Sequence, residues 1–182
     1  MSASPSAVQS CPRRRAILQF CTINSSVVLG PVWSGDYSAS VIIVQKLLDG
    51  SPRACPDIGF GIVDVRDVAD LHVRALTAPG SLAGERFIAS GRFMQLREIA
   101  DVLRVELGPQ AHRVTTRNVP DWAARVAAMF NPVARSVVGE LGSVRHQDAS
   151  HVRAVLGWEA RPVEQSIADT ARCLIERGIV RV

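Results

Sequence analysis

Four histidines, His72, His112, His146 and His151, are the side chains whose charge could change near neutral pH. None lies in a His-Glu-x-x-His helix, and their spacing does not make a zinc cluster. Cys11, Cys21, Cys55 and Cys173 are widely and irregularly placed, without a Cys-x-x-Cys or a paired histidine, so no metal ligands are assigned. No Gly-x-Ser-x-Gly elbow is present to raise a nucleophilic serine. Asp64 and Asp67 are the most suggestive acids. They fall where a strand pattern turns into a helix pattern, which makes Asp64 a cap for the free N–H groups of the first turn. Asp67 then adds negative charge where the helix dipole favours it. His72, beside the apolar face of the same helix, reads as a satisfied, partly buried histidine. Gly59 and Gly61 lie inside the strand and read as sites of close backbone packing rather than as a phosphate-binding turn. No catalytic residue follows from residue chemistry alone.

The elements that would position these groups are read from hydrophobic period. Ile58, Phe60 and Ile62 alternate with glycines, while Val68, Leu71, Ala75 and Leu76 follow at helical spacing, so the period changes near Asp64. Residues 1–15, rich in Ser, Pro and Arg, are expected to be disordered. Ile17 to Asn24 reads as a strand buried on both faces, with Asn24 to Pro31 as the loop beyond its carboxyl end. Ser38 to Leu48 reads as a helix stopped by Gly50, and Gly50 to Pro56 as a turn. Glu85 to Ala89 reads as another strand of the same sheet. Gln95 to Leu107 is an amphipathic helix with Leu96, Ile99, Ala100, Leu103 and Leu107 on one face. Asp121 caps a further helix with Trp122, Val126, Met129 and Phe130 on one side. Asp148 to Leu156 is a short helix closed by Gly157, with Trp158 folded back on it. Val163 to Arg177 is the last helix, buried along Val163, Ile167, Thr170, Ala171, Leu174 and Ile175 and ended by Gly178.

The 182 residues, 47% of them hydrophobic, suffice for one domain with a true core, and a mean hydropathy of +0.14 signals apolar surface to bury. The net charge is +4, but the basic residues are dispersed apart from Arg13, Arg14 and Arg15, which argues against nucleic-acid binding. No run of about 18 apolar residues suggests a membrane span. No convincing secretory signal is present, so reduced thiols in a cytoplasmic protein are the expectation.

Four stretches in register carry a resemblance: Cys21 to Pro31, Val63 to Asp70 with His72, Gly84 to Ser90, and Leu156 to Pro162. Together they resemble the C-terminal half of the extended short-chain dehydrogenase/reductases, near the branch of dihydroflavonol-reductase-like and NAD-dependent epimerase/dehydratase proteins. The resemblance implies an α/β fold. It would be the C-terminal part of a Rossmann-like enzyme, a few parallel strands plus a mainly helical substrate domain, over residues 16–182. It implies NAD or NADP as cofactor, with Asn24, Ser25 and Val27 beside it, and Val32, Trp33 and Tyr37 lining a substrate pocket. The family has Asn-Pro where this chain has Asn24-Ser25, which restores a backbone N–H. Asn24 is alternatively a hydrogen-bonded turn residue.

Two parts of the family's machinery are absent from the sequence. A dinucleotide needs a glycine turn at a helix N-terminus, and none is present. The family's Tyr-x-x-x-Lys pair, in which the lysine lowers the phenol pKa, is also missing: the one tyrosine, Tyr37, stands nine residues from the one lysine, Lys46. The expectation is a fragment of an NAD(P)-dependent oxidoreductase for a ketone, aldehyde or nucleotide-linked sugar, inactive alone. The alternative is a non-catalytic subunit that pairs with a separate nucleotide-binding chain.

Overall fold

The structure is a computed structural model and describes residues 20–35, 38–51, 53–120, 129, 139, 141–144 and 147–181. The expected disordered segment 1–15, most of the helix after Asp121, Tyr37 and His146 lie outside the described residues.

The chain enters through strand β1 (Thr22–Ser25), breaks at Ser26 and continues as β2 (Val27–Leu29). Helix α1 (Ala39–Leu48) follows, then β3 (Gly59–Asp64) runs without a gap into α2 (Val65–Thr77). Strands β4 (Arg86–Ala89) and β5 (Phe93–Gln95) lead into α3 (Leu96–Leu107) and a single 3-10 turn, Gly108–Ala111. Helices α4 (Ser150–Leu156) and α5 (Val163–Glu176) complete the described fold.

Two small sheets result. β1 pairs with β4 in parallel, Thr22 opposite Arg86 and Ser25 opposite Ala89. β2 pairs with β3 in parallel, and β3 with β5 antiparallel, giving the order β2-β3-β5. The sequence expectation of one sheet holding both β3 and β4 is therefore corrected. The physical reason lies at Ser26, whose N–H donates to Ala89 O at 3.0 Å and ends the pairing with β4. The next three residues pair with Ile62, Val63 and Asp64 instead. A single extended segment thus serves two sheets, and Asn24 and Ser25 are strand residues rather than loop residues.

The larger core lies between the three-stranded sheet and helices α1, α3 and α5, and includes Val44, Leu48, Ile62, Met94, Ile99, Leu103, Ile167 and Leu174. The amphipathic reading of α3 holds at every position: Leu96, Ile99, Ala100, Leu103 and Leu107 are all buried. The smaller core gathers Val63, Leu71, Phe87, Ala89, Val152 and Trp158 between the two-stranded sheet, α2 and α4. Burial of these side chains removes apolar area worth about 25 cal/mol per Å2 from water.

Other expectations need correction. β1 is not buried on both faces: Thr22, Asn24 and Ser25 are exposed and Phe20 is 71% exposed, because among the described residues nothing covers one face or pairs with the outer edge. Leu76, on the last turn of α2, is 86% exposed. His72 is exposed, its Nδ1 2.7 Å from Val68 O. Met129, read as part of a buried stripe, is exposed, and Ile175 is only partly buried.

Candidate functional site

The carboxyl ends of the parallel strands converge on Gly30, Asp64 and Ser90, the place where α/β sheets present groups to ligands. Asp64 closes β3 and caps α2. Its Oδ1 accepts from the Arg66 N–H and from Arg66 Nε, both at 2.8 Å, and its Oδ2 accepts from Arg66 Nη2 at 2.8 Å. Arg66 Nη2 also donates to Asp169 Oδ2 on α5 at 2.6 Å. Burial alone would raise the Asp64 carboxyl, but the hydrogen bonds from Arg66 outweigh it and hold it below the ordinary carboxylate range. The same bond from Asp64 raises Arg66.

Asp67, one turn on, does more than face the helix dipole. Its Oδ2 accepts from the Arg161 N–H at 2.8 Å and its Oδ1 from Arg161 Nε and Nη2 at 2.9 and 2.7 Å. Trp158 Nε1 donates to the Asp67 carbonyl at 2.8 Å. The Leu156-to-Pro162 stretch is thus fastened to α2 by the backbone and guanidinium of Arg161 and by an indole, and the bond from Asp67 raises the Arg161 guanidinium. Arg161 lies in the Leu156-to-Pro162 stretch, and nothing in the sequence names its partner. Its place three residues after Trp158 was the available signal. Gly30, which follows β2, donates to Thr170 Oγ1 at 2.7 Å, tying the strand end to α5.

A half-open cavity of about 500 Å3 lies beside this junction, between Ser90, Arg92, Gln147, Asp148, Arg161 and Glu164. Its charges are matched. Arg92 pairs with Glu164 at 2.9 Å, Arg161 with Asp67, and Ser90 Oγ donates to Gln147 Oε1 at 2.7 Å. Hydrogen bonds from the Ser150 N–H and hydroxyl hold the Asp148 carboxyl below its usual range. Gly61 is packed against Ser90 and Gln147, and Gly59 against Phe93, as the close-packing reading of that pair requires.

The residues expected to contact cofactor and substrate do not gather here. Asn24 and Ser25 lie exposed on β1, and Val27 is partly buried opposite Ile62. Val32 is buried in the larger core, whereas Trp33, beside it, is 84% exposed. None of these five lines the polar cavity. No group of three metal-ligating side chains occurs among the described residues.

A dinucleotide does not fit the strand-to-helix junction on this chain. Where a pyrophosphate would approach a helix N-terminus, the Asp64 carboxylate already accepts from the Arg66 N–H and is paired with the Arg66 guanidinium, so that donor is taken. No helix among the described residues is long and apolar enough to cross a membrane.

The alternation of parallel strands and helices, with a mainly helical C-terminal portion, is the architecture of the C-terminal part of Rossmann-like extended short-chain dehydrogenase/reductases. A nucleoside-diphosphate-sugar epimerase from Pseudomonas aeruginosa matches 88% of this chain and 49% of its own, with a TM-score of 0.69 at 15% identity. The yeast methylglyoxal/isovaleraldehyde reductase Gre2, solved with NADPH, matches 87% and 44%, with a TM-score of 0.54 at 23% identity. By sequence, the chain is similar to cinnamoyl-CoA reductase 2 of Arabidopsis thaliana, 25% identical over 156 residues, 86% of this chain and 41% of that protein. An uncharacterised oxidoreductase of Schizosaccharomyces pombe is 30% identical over 181 residues, 97% of this chain and 48% of the relative. No family model matches the chain. The chain is similar in sequence to the C-terminal half of these oxidoreductases and spans a little under half the length of the curated relatives it matches.

Proposed function

We propose that this chain is the substrate-side portion of an NAD(P)-dependent oxidoreductase acting on a small carbonyl compound or nucleotide-linked sugar, and that alone it does not turn over. In the whole assembly, Asn24, Ser25 and Val27 flank the cofactor and Val32, Trp33 and Tyr37 shape the substrate pocket. The observation that carries this reading is the mismatch between ancestry and site. The relatives are reductases, yet this sequence has no glycine turn at a helix N-terminus, and Lys46 stands nine residues from Tyr37. The test is NADPH oxidation by the pure chain with methylglyoxal, isovaleraldehyde and cinnamoyl-CoA. No consumption above the protein-free rate is expected, and sustained turnover of any one of them would refute the proposal.

A second reading is favoured by a separate observation. The outer edge of β1 is unpaired among the described residues, and one face of the β1–β4 sheet is bare. Parallel strands are ordinarily covered on both faces. In this reading the chain is a non-catalytic subunit that completes its sheet against a separate nucleotide-binding polypeptide.

A further inference from the structure

Lys46, Arg53, Arg113, Arg117, Arg177 and Arg181 are scattered along the sequence, yet folding draws the segments that carry them to one end of the molecule. The Ser51 N–H donates to Lys46 O at 3.0 Å, turning the chain at the end of α1, and Gly50 packs against the backbone and Cβ of Arg113. The Cys55 N–H, two residues beyond Arg53, donates to Arg117 O at 2.7 Å. Arg113 Nη1 donates to Arg181 O at 3.2 Å, and Arg177 closes α5 just ahead of that carbonyl. All six side chains are exposed, and none makes an ion pair among the described residues. Elsewhere charges cancel, as where Arg66 meets Asp64 and Asp169, Arg92 meets Glu164 and Arg172 meets Glu106. The acids on the same segments are Asp49, Asp57 and Glu176, so six cations less three anions leave an excess of three, against +4 for the whole chain.

We infer that this basic end is a docking surface for the phosphate backbone of a nucleic-acid duplex, held without reading its sequence. Helix dipoles account for Lys46, in the last turn of α1, and for Arg177, at the end of α5. They do not account for Arg53, Arg113, Arg117 or Arg181, whose gathering costs mutual repulsion that a dense anion relieves. The surroundings select the anion. Segments 46–57, 112–119 and 176–181 hold no aromatic residue, so they offer no platform for stacking a single strand. No large apolar side chain stands exposed on them to enter a bilayer. Five of the six cations are arginines, whose planar fork meets a phosphate through two parallel hydrogen bonds. A duplex presents such phosphates at high, fixed density, without the ordering cost of a flexible acidic peptide. None of the six lines the polar cavity, so this surface is separate from it.

The experiment measures fluorescence anisotropy of a labelled DNA duplex of about 24 base pairs with the full chain, in which Arg13, Arg14 and Arg15 are each replaced by Gln so that the other basic cluster does not contribute. Binding is expected with a Kd on the order of 1–100 μM at 50 mM salt, and log K should fall against log salt with a slope of about −3 to −5. Arg53→Glu with Arg117→Glu weakens it at least about tenfold, whereas Arg86→Glu with Arg97→Glu, the same charge change elsewhere, weakens it less than about threefold. Circular dichroism confirms that both double variants are folded. Absence of binding at about 500 μM and 50 mM salt overturns the proposal, as does equal weakening by the two double variants. Polyglutamate bound as tightly as the duplex reassigns the surface to an acidic protein, and tighter binding to vesicles containing about 30% phosphatidylserine reassigns it to a membrane; either result overturns the duplex.

Discussion

Asp67 and Arg161 show how much a single pair can fix. Three hydrogen bonds join them, and Asp67 is buried whereas Arg161 keeps a path to water. Asp67→Asn removes the charge and one acceptor but lets the guanidinium turn outward, so the loss is about 1.5–3 kcal/mol rather than the full cost of a stranded buried ion. Urea unfolding of the variant beside the parent checks it. Asp64 supplies a pH dependence of definite sign. Its folded carboxyl binds a proton less readily than in the unfolded chain, so its contribution is fully present above about pH 5. That contribution is lost as pH falls below the ordinary carboxylate value of about 3.9 and through the lower folded value. Asp64→Asn flattens that acid limb, measured as unfolding free energy between pH 3 and 7. An unchanged slope would remove Asp64 from the account. Gly30 is constrained twice over: its φ is +130°, and a methyl group there would stand 2.9 Å from Val65 Cγ1 and 3.2 Å from both Asp64 carboxylate oxygens. Gly30→Ala costs about 2–4 kcal/mol from strain and crowding together.

Elements differ in how openly the sequence declares them. α3 is legible because Leu96, Ile99, Ala100, Leu103 and Leu107 repeat at helical spacing and all meet the larger core, while Val105 stays exposed, and Glu98 reaches back to the Gln95 N–H. The β3-to-α2 junction was legible because the period changes where an acid can cap. β1 was misread for an equally physical reason. The run Ile17 to Asn24 looks like a strand with two dry faces, which presupposes neighbours that the described residues do not provide, so Phe20 is left in water. The break at Ser26 could not be read either, since nothing in Ser25-Ser26-Val27 says which of two sheets the next residue joins. The polar cavity escaped notice because its walls come from residues 90–92, 147–153 and 158–164, which only the folded chain brings together. At this scale Leu103→Ala, a fully buried α3 residue facing α5, is expected to cost about 2–5 kcal/mol by chemical denaturation.

At the scale of the molecule, the question is whether two hydrophobic clusters make one cooperative unit. β3 is the wall between them: Ile62 belongs to the larger cluster and the next residue, Val63, to the smaller, because successive side chains of a strand point to opposite faces. Two further ties cross the same boundary. Arg66 on α2 reaches Asp169 on α5, and Arg161, just ahead of α5, holds Asp67 on α2. Opening the smaller cluster therefore strips one face of β3 and breaks both arginine bridges, which unsettles the larger cluster as well. With Trp33 and Trp122 replaced by Phe, Trp158, fully buried in the smaller cluster, reports on it by fluorescence, while α1, α3 and α5 of the larger one supply the greater part of the described helix and so of the far-ultraviolet circular dichroism. The two signals are expected to give coincident urea midpoints, and Val63→Ala to lower both together by the same increment. A Trp158 transition at lower urea than the helical one would mean that β3 does not couple the clusters and that the two-stranded sheet with α2 and α4 unfolds on its own.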